Sequence, residues 1–162
     1  MNKPIAEIRI TGEEQLYRAE RLIEETCDYY HVGNEYFANV MLGTTEAIRL
    51  ILNKMHSTGE HLTVTAEKNH KGLHFILKGG ISKDAVSMLK DPLDKAIESE
   101  KLSRELFIIR SLADETKVTE DGLEIHLVFR ITSLDAERSL GRINQLQEYY
   151  KRKVVKIKKN DG

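Results

Sequence analysis

Histidine and cysteine are the residue types in this sequence that could bind a metal ion or act as a nucleophile. The chain has six histidines and one cysteine, Cys27. The histidine spacings fit no zinc motif, and His74 and His126 simply alternate with apolar residues on two predicted strands. Cys27 falls near the apolar face of a predicted helix, where a thiol packs as a small apolar group. The sequence therefore predicts no metal site and a structural cysteine.

Phosphate binding is the second chemistry that the sequence suggests. Residues 101–118, KLSRELFIIRSLADETKV, have the pattern of an amphipathic helix followed by a strand. The segment looks like the helix behind a phosphate-binding loop, in which the free N–H groups of the helix N-terminus face the anion. The glycines that such a loop needs are absent. The helix of a phosphate site is thus predicted without its loop.

The basic segment YYKRKVVKIKK near the C-terminus raises the possibility of nucleic-acid binding. Tyr149 and Tyr150 could stack on bases beside the lysines and arginines. A solvated basic tail is the commoner meaning of such a run, and the net charge of -1 gives no global field that would attract a polyanion. Nucleic acid is therefore not an expected partner.

Length and hydropathy indicate a cytoplasmic protein. The 162 residues correspond to about one ordinary domain with an appendage. No apolar run approaches the roughly 18 to 20 residues of a membrane span, and the first residues lack the apolar stretch of a signal peptide. We expect neither export nor a membrane partner.

Periodicity predicts the elements of the first half of the chain. A half-buried strand, AEIRIT, precedes a helix over residues 13–30, and Asn34 is expected to cap a second, more apolar helix. The alternating segments HLTVTAE and LHFILK predict an antiparallel hairpin.

The second half begins with a polar, weakly periodic stretch over residues 83–100, interrupted by Pro92, which we interpret as a mobile connector with short helical pieces. A helix follows, then two strands about a turn at Asp121 and Gly122, with Leu123 at the start of the last strand's alternation. This order predicts an α+β fold, a two-layer sandwich of a mixed or antiparallel sheet covered by three helices. Residues 133–153 are predicted to form an extra C-terminal helix, whose apolar face is made by Leu140, Ile143, Leu146 and Tyr150.

Three segments carry a resemblance to a known family: TTEAIRLILNKMH, KGLHFILKGGIS and SRELFIIRSLADETKVTEDGLEIHLVFRI. Together with the element order, they resemble the GHKL (histidine-kinase-like) ATPase fold. Within that group the chain is most similar to the bacterial anti-sigma-factor serine kinases of partner-switching systems. The resemblance covers roughly residues 5–131 and divides the chain into a GHKL-like domain, residues 1–132, and a C-terminal helix with a basic tail, residues 133–162.

The resemblance implies a general base and a magnesium ligand on the second helix. Glu46 and Ala47 match the family's Glu-Ala pair, in which the glutamate acts as the base. The asparagine that helps to hold Mg²⁺ would fall on Leu50, which offers no oxygen. Asn53 lies one turn farther on, where an exposed helix asparagine is the more ordinary interpretation. Glu46 is then mainly an inherited structural residue.

The resemblance also implies an adenine contact and a phosphate lid, and both depart from the family pattern. Gly79 stands where an aspartate would accept from adenine, and Gly80 keeps only the turn. Ile81 and Lys83 replace the two glycines beneath the base. In the lid, Ser103 and Glu105 occupy the two glycine positions, and the Glu105 carboxylate lies where a triphosphate needs positive potential.

We therefore expect a degenerate member of the family, a non-catalytic regulatory or scaffold protein with no cofactor. Its partner would be a sigma factor, a STAS-type antagonist or an intact paralogue, and a homodimer is possible. Ile76 and Val128 are expected to face away from the core, where the C-terminal helix could cover the sheet or pair with a second chain. The alternative is an active serine/threonine kinase, or an anti-sigma regulatory factor with atypical motifs, that uses ATP, Mg²⁺ and Glu46.

Overall fold

A computed structural model describes residues 6–53, 60–80, 83–98, 103–131 and 145–148. Its strands are β1 (Ala6–Ile10), β2 (Leu62–Asn69), β3 (Gly72–Lys78), β4 (Glu115–Val118) and β5 (Glu124–Phe129). Its α-helices are α1 (Leu16–Tyr29), α2 (Asn34–Leu52), α3 (Lys83–Lys90), α4 (Leu93–Glu98) and α5 (Arg104–Leu112). A 3₁₀ turn, Glu13–Gln15, leads into α1.

All five strands form one antiparallel sheet in the order β1-β2-β3-β5-β4. Because side chains alternate along a strand, directly paired residues share a face. Phe75 pairs with Ala66 on one side and Leu127 on the other, and all three are fully buried in the main core. The predicted α+β sandwich is thus correct at this level.

The opposite face of the sheet carries the residues between those core positions. Ile76 pairs with His126, and His74 pairs with Val128. Neither Ile76 nor Val128 belongs to the core cluster formed with the helices, which confirms that both face away from it.

The first two helices form as their apolar stripes predict. On α1 the buried positions recur at helical spacing, and they include Cys27. His31, with φ 55°, ends this helix in a left-handed conformation. The predicted N-cap of α2 was wrong, since Gly33 occupies that position and Asn34 is the first helical residue. The extended backbone of Gly33 (φ -67°, ψ 161°) sets the helix start without a side-chain cap.

The predicted connector over residues 83–100 contains two helices that are part of the core. Ala85, Met88, Leu89 and Ala96 are buried in the same cluster as the sheet residues. The described part of the chain therefore has five α-helices rather than three. Pro92 separates α3 from α4, and its carbonyl accepts from the Ala96 N–H in the first turn of α4.

Two predictions near the C-terminus need correction. Leu123 precedes β5 and is 56% exposed, because the Asp121-Gly122 turn, with Gly122 at φ 73°, delays the start of the strand. Residues 145–148 are helical, and Leu146 packs against Ile108 and Leu112 of α5. This part of the C-terminal segment covers the helical layer, not the open face of the sheet. Leu140, Ile143 and Tyr150 lie outside the described residues.

Candidate functional site

Glu46 is a fully buried carboxylate on α2, with a side-chain exposure of 0%. Its Oε1 accepts a 2.8 Å hydrogen bond from Nη1 of Arg49, one helical turn onward. Nη2 of Arg104, the first residue of α5, lies 3.9 Å from the same oxygen. Two guanidinium groups thus offset the cost of burying the carboxylate.

The second oxygen of Glu46 differs from the first. Oε2 is buried and has no hydrogen-bond partner within the part of the chain that the structure describes. Arg49 is also linked to Glu13 at 3.8 Å, so the charges form a short network between the 3₁₀ turn, α2 and α5. The network ties the N-terminal end of α5 to α2.

The two candidate magnesium positions occupy different environments. Leu50 is half-buried and packs against the main core, so it fills space rather than offering a ligand. Asn53 immediately follows α2 and is exposed, and its N–H donates to the Arg49 carbonyl at 2.9 Å. The asparagine thus ends the helix, as predicted for an ordinary exposed residue.

The position expected to contact adenine is closed by the core. Gly79 follows β3, and a Cβ atom added to it would lie 2.5 Å from Cγ2 of Ile51 and 3.2 Å from Cδ1 of Leu62. Its N–H donates to the Leu123 carbonyl at 3.0 Å. Any side chain at residue 79 would therefore have to displace the side chain of Ile51.

Gly80 has the unusual backbone that a strand exit at this point requires. Its φ is 103°, a conformation that residues with a Cβ rarely adopt. The glycine is therefore explained by the turn alone. Ile81, which follows it, lies outside the described residues.

At the N-terminus of α5 a side chain of the protein caps one of the free amide groups. Ser103 is the N-cap, and its Oγ accepts from the Leu106 N–H at 3.2 Å. Glu105 lies in the first turn, where a carboxylate is favoured by the helix dipole and repels a phosphate. One N–H group that a phosphate could use is thus already bonded to Ser103, and the Glu105 carboxylate opposes an anion at this helix end.

The fold brings these three segments to one end of α2. Glu46 meets the start of α5 through Arg104, and Ile51 meets the exit of β3 at Gly79. The sequence prediction missed the arginines as partners of Glu46. The spacing of Glu46 and Arg49 is a signal that could have identified one of them, whereas Arg104 becomes a neighbour only through the packing of α5 on α2.

The described residues also bear on three other possibilities: a reactive cysteine, a metal-binding cluster and a membrane-spanning helix. Burial raises the pKa of the Cys27 thiol to about 11, so it is protonated at neutral pH and unreactive. Over the described ranges, no three His, Cys, Asp or Glu side chains are grouped so that they could hold a metal ion. None of the helices within those ranges combines the length and apolar character needed to cross a membrane.

Comparison of the chain with protein-family models found no match, and comparison with curated proteins also found none.

Proposed function

We propose that this chain is a non-catalytic regulatory or scaffold protein, related to the GHKL-type anti-sigma-factor serine kinases, that has largely lost the ATP site. It acts by binding another protein in a bacterial partner-switching system. The likeness of the three sequence segments motivates the family, and the α+β sandwich with its antiparallel sheet is compatible with it.

The observation that carries the loss of the nucleotide site is the packing at Gly79. A side chain there would start 2.5 Å from Cγ2 of Ile51, so a carboxylate could be presented to an adenine ring only if the Ile51 side chain moved. The cap made by Ser103 and the filled position of Leu50 act in the same direction. All three implied contacts with nucleotide or metal are thus replaced by contacts within the protein.

The size of the loss explains why the site would be empty in a cell. Charge-assisted contacts contribute about 1.5 to 3 kcal/mol each, so losing three or four of them removes at least about 5 kcal/mol. Since about 1.4 kcal/mol is a tenfold change in affinity, a micromolar site would weaken to several millimolar or more.

Isothermal titration of the full chain with ATP and Mg²⁺ tests this proposal. We expect no saturation below about one millimolar nucleotide, because the contacts that would supply the affinity are missing. Asn53→Ala is the informative variant: if Asn53 served as a displaced magnesium ligand, this substitution would weaken binding. Saturation by the unaltered chain in the micromolar range would contradict the loss of the site.

Partner binding needs a separate measurement. The purified chain is mixed with sigma factors, STAS-domain proteins and intact kinase paralogues encoded by the same genome, and the complexes are measured by size-exclusion chromatography with light scattering. We expect a stable complex with one of these three classes. Failure of all three to bind at about 10 µM would refute the partner-switching role.

One observation favours the alternative of an active ATP-dependent serine/threonine kinase. Glu46, which the resemblance identifies as the base, is present and its Oε2 has no hydrogen-bond partner in the described part of the structure. A base acts only when its substrate lies within hydrogen-bond reach. Transfer of labelled phosphate from ATP to a STAS-domain serine, lost in Glu46→Gln, would establish the kinase and exclude the non-catalytic role.

A further inference from the structure

Two histidine rings contact each other on the face of the sheet opposite to the helices. His74 lies on β3 and His126 on β5, and they occupy diagonal positions because their direct partners are Val128 and Ile76. Nε2 of His74 is 3.0 Å from Nδ1 of His126. The rings are tilted by 45° with centroids 5.1 Å apart, so a nitrogen of each ring points towards the other. Two neutral imidazoles at this distance share one proton between facing nitrogens.

Each ring also has a carboxylate near its other nitrogen. Oε1 of Glu67, on β2, lies 3.2 Å from Nδ1 of His74, and Oε1 of Glu124, on β5, lies 4.0 Å from Nε2 of His126. The four side chains therefore run in the order carboxylate, imidazole, imidazole, carboxylate across three strands. Metal-binding histidines usually donate the N–H of the second ring nitrogen to a carboxylate, which fixes the ring and makes the ligating nitrogen more basic.

We propose that the facing nitrogens of His74 and His126 bind one late first-row divalent ion, Zn²⁺, Ni²⁺ or Cu²⁺. The ion takes the position of the proton that the two rings share, and this proton moves to the outer nitrogen of the ring that carried it. Imidazole is a preferred ligand of all three ions. With metal–nitrogen bonds of about 2.05 Å, nitrogens 3.0 Å apart subtend about 94° at the metal. That angle suits two adjacent positions of a tetragonal site, and opening the pair by about 0.3 Å gives the tetrahedral angle of zinc.

Several charged groups surround the two histidines. Burial and the neighbouring His126 lower the pKa of His74, as do Lys117 and Lys71, whereas Glu67 opposes them. Lys117 lies directly opposite His126 on β4 and is exposed, so its ammonium group can turn away from a bound cation.

Binding also defines the hydrogen bond at the second nitrogen of His74. Two groups lie 3.2 Å from Nδ1 of this ring, the Glu67 carboxylate and Nδ2 of Asn69. With the metal on Nε2, Nδ1 carries a proton and donates it to Glu67, because Asn69 Nδ2 is itself a donor. The side chains of His74 and His126 remain 15% and 27% exposed, which leaves the pair accessible from solvent.

The site has two protein ligands, and water completes the coordination. Its affinity is consequently lower than that of a closed structural zinc site with four protein ligands. No sequence motif predicts this site, because the two histidines are 52 residues apart and contact each other only through the register of β3 and β5. The site lies on the other face of the sheet from Glu46 and Gly79 and does not depend on the proposed function.

Zinc titration by calorimetry, on the full chain without a polyhistidine tag, tests the proposal. We expect one equivalent of Zn²⁺ to bind to the unaltered chain, with loss of binding in both His74→Gln and His126→Gln. Glu67→Gln should weaken binding about tenfold to hundredfold by removing the carboxylate behind His74. His61→Gln is the matched control, since His61 is an exposed histidine outside the pair and its replacement should leave binding unchanged.

A second measurement requires no substitution and so does not depend on the folding of a variant. Long-range ¹⁵N–¹H spectra of the unaltered chain report which ring nitrogen changes on addition of Zn²⁺. We expect the changes at Nε2 of His74 and Nδ1 of His126. Absence of saturation below about one millimolar zinc, equal binding by both glutamine variants, or changes confined to other histidines would each overturn the site.

Discussion

The close approach of Gly79 to Ile51 gives a quantitative prediction about the closed nucleotide position. In Gly79→Ala the new methyl carbon would start 2.5 Å from Cγ2 of Ile51, and reaching an ordinary contact of 3.4 Å requires a shift of 3.4 − 2.5 = 0.9 Å. Ile51 is fully buried between α2 and the sheet and cannot turn away. Overpacking of this kind costs about 1 to 3 kcal/mol.

Thermal and urea unfolding measure that cost. For a domain of this size about 1 kcal/mol corresponds to about 2 to 4 °C, so we expect the midpoint of Gly79→Ala to fall by about 2 to 12 °C. Gly79→Asp should fall further, because its carboxylate would be forced against the apolar atoms of Ile51 and Leu62.

Two controls separate the steric effect from a general intolerance of alanine. Gly12→Ala meets only the flexible carboxylate of Glu14, at an extended φ of -170°, and should change stability by less than about 0.5 kcal/mol. In an Ile51→Ala background the obstructing Cγ2 is absent, so adding Gly79→Ala should cost less than about 0.5 kcal/mol. If Gly79→Ala is as stable as the unaltered chain, the position is open and the reasoning about the adenine contact fails.

Three further substitutions or conditions test the remaining contacts. Ser103→Ala should lower the free energy of unfolding by about 0.5 to 2 kcal/mol through loss of the cap on Leu106 N–H, and Ser103→Gly by only a few tenths, as measured in urea. An equal loss in both would argue against the cap. Leu146→Ala should lower it by about 2 to 5 kcal/mol if the C-terminal helix packs on α5, and an unchanged urea midpoint would exclude that packing. The raised pKa of Cys27, about 11, makes the folded state lose stability as pH rises above about 9, because the unfolded thiol then releases a proton that the folded thiol keeps. Urea unfolding at pH 8 and pH 10.5 should show this loss in the unaltered chain and less of it in Cys27→Ala.

Alternation and helical spacing predicted the elements whose two faces differ most in polarity. The strands around Phe75 and Leu127 and the stripe of α1 were recovered because each buries one regular set of apolar positions. The packing of α3 and α4 was missed for the opposite reason. Their buried residues are few and stand among charged neighbours. The sequence pattern of these two helices therefore resembles that of a solvated connector.

Local backbone geometry accounts for the errors at element boundaries. Gly33 begins α2 by its extended conformation, a property that the preference of asparagine for N-caps does not reveal. The turn at Gly122 removes Leu123 from the last strand although its apolar character fits the alternation. In both cases a glycine determined the boundary. The turn at Gly122 was predicted, but the alternation of apolar residues wrongly placed Leu123 within the strand.

The candidate site could be predicted only in part, because a charged partner of Glu46 lies on a different helix. The sequence located Glu46, Gly79 and Ser103 by resemblance, and the structure places all three near one end of α2. It could not identify Arg104 as a partner of Glu46, since that contact depends on how α5 crosses α2. The contact between His74 and His126 could not be predicted either, because it depends on how β3 pairs with β5.

The two proposed features occupy opposite faces of the sheet, and this separation makes their tests independent. Gly79 and Ser103 lie with the helices that cover one face, whereas His74 and His126 lie on the other face beside Ile76 and Val128. A zinc ion there would cross-link β3 and β5 without touching α2 or α5. Zinc binding should therefore leave the stability cost of Gly79→Ala unchanged, because sites with no shared partners act additively. Measuring the Gly79→Ala cost with and without saturating zinc would reveal any coupling, and a difference above about 0.5 kcal/mol would mean that the sheet transmits the state of one face to the other.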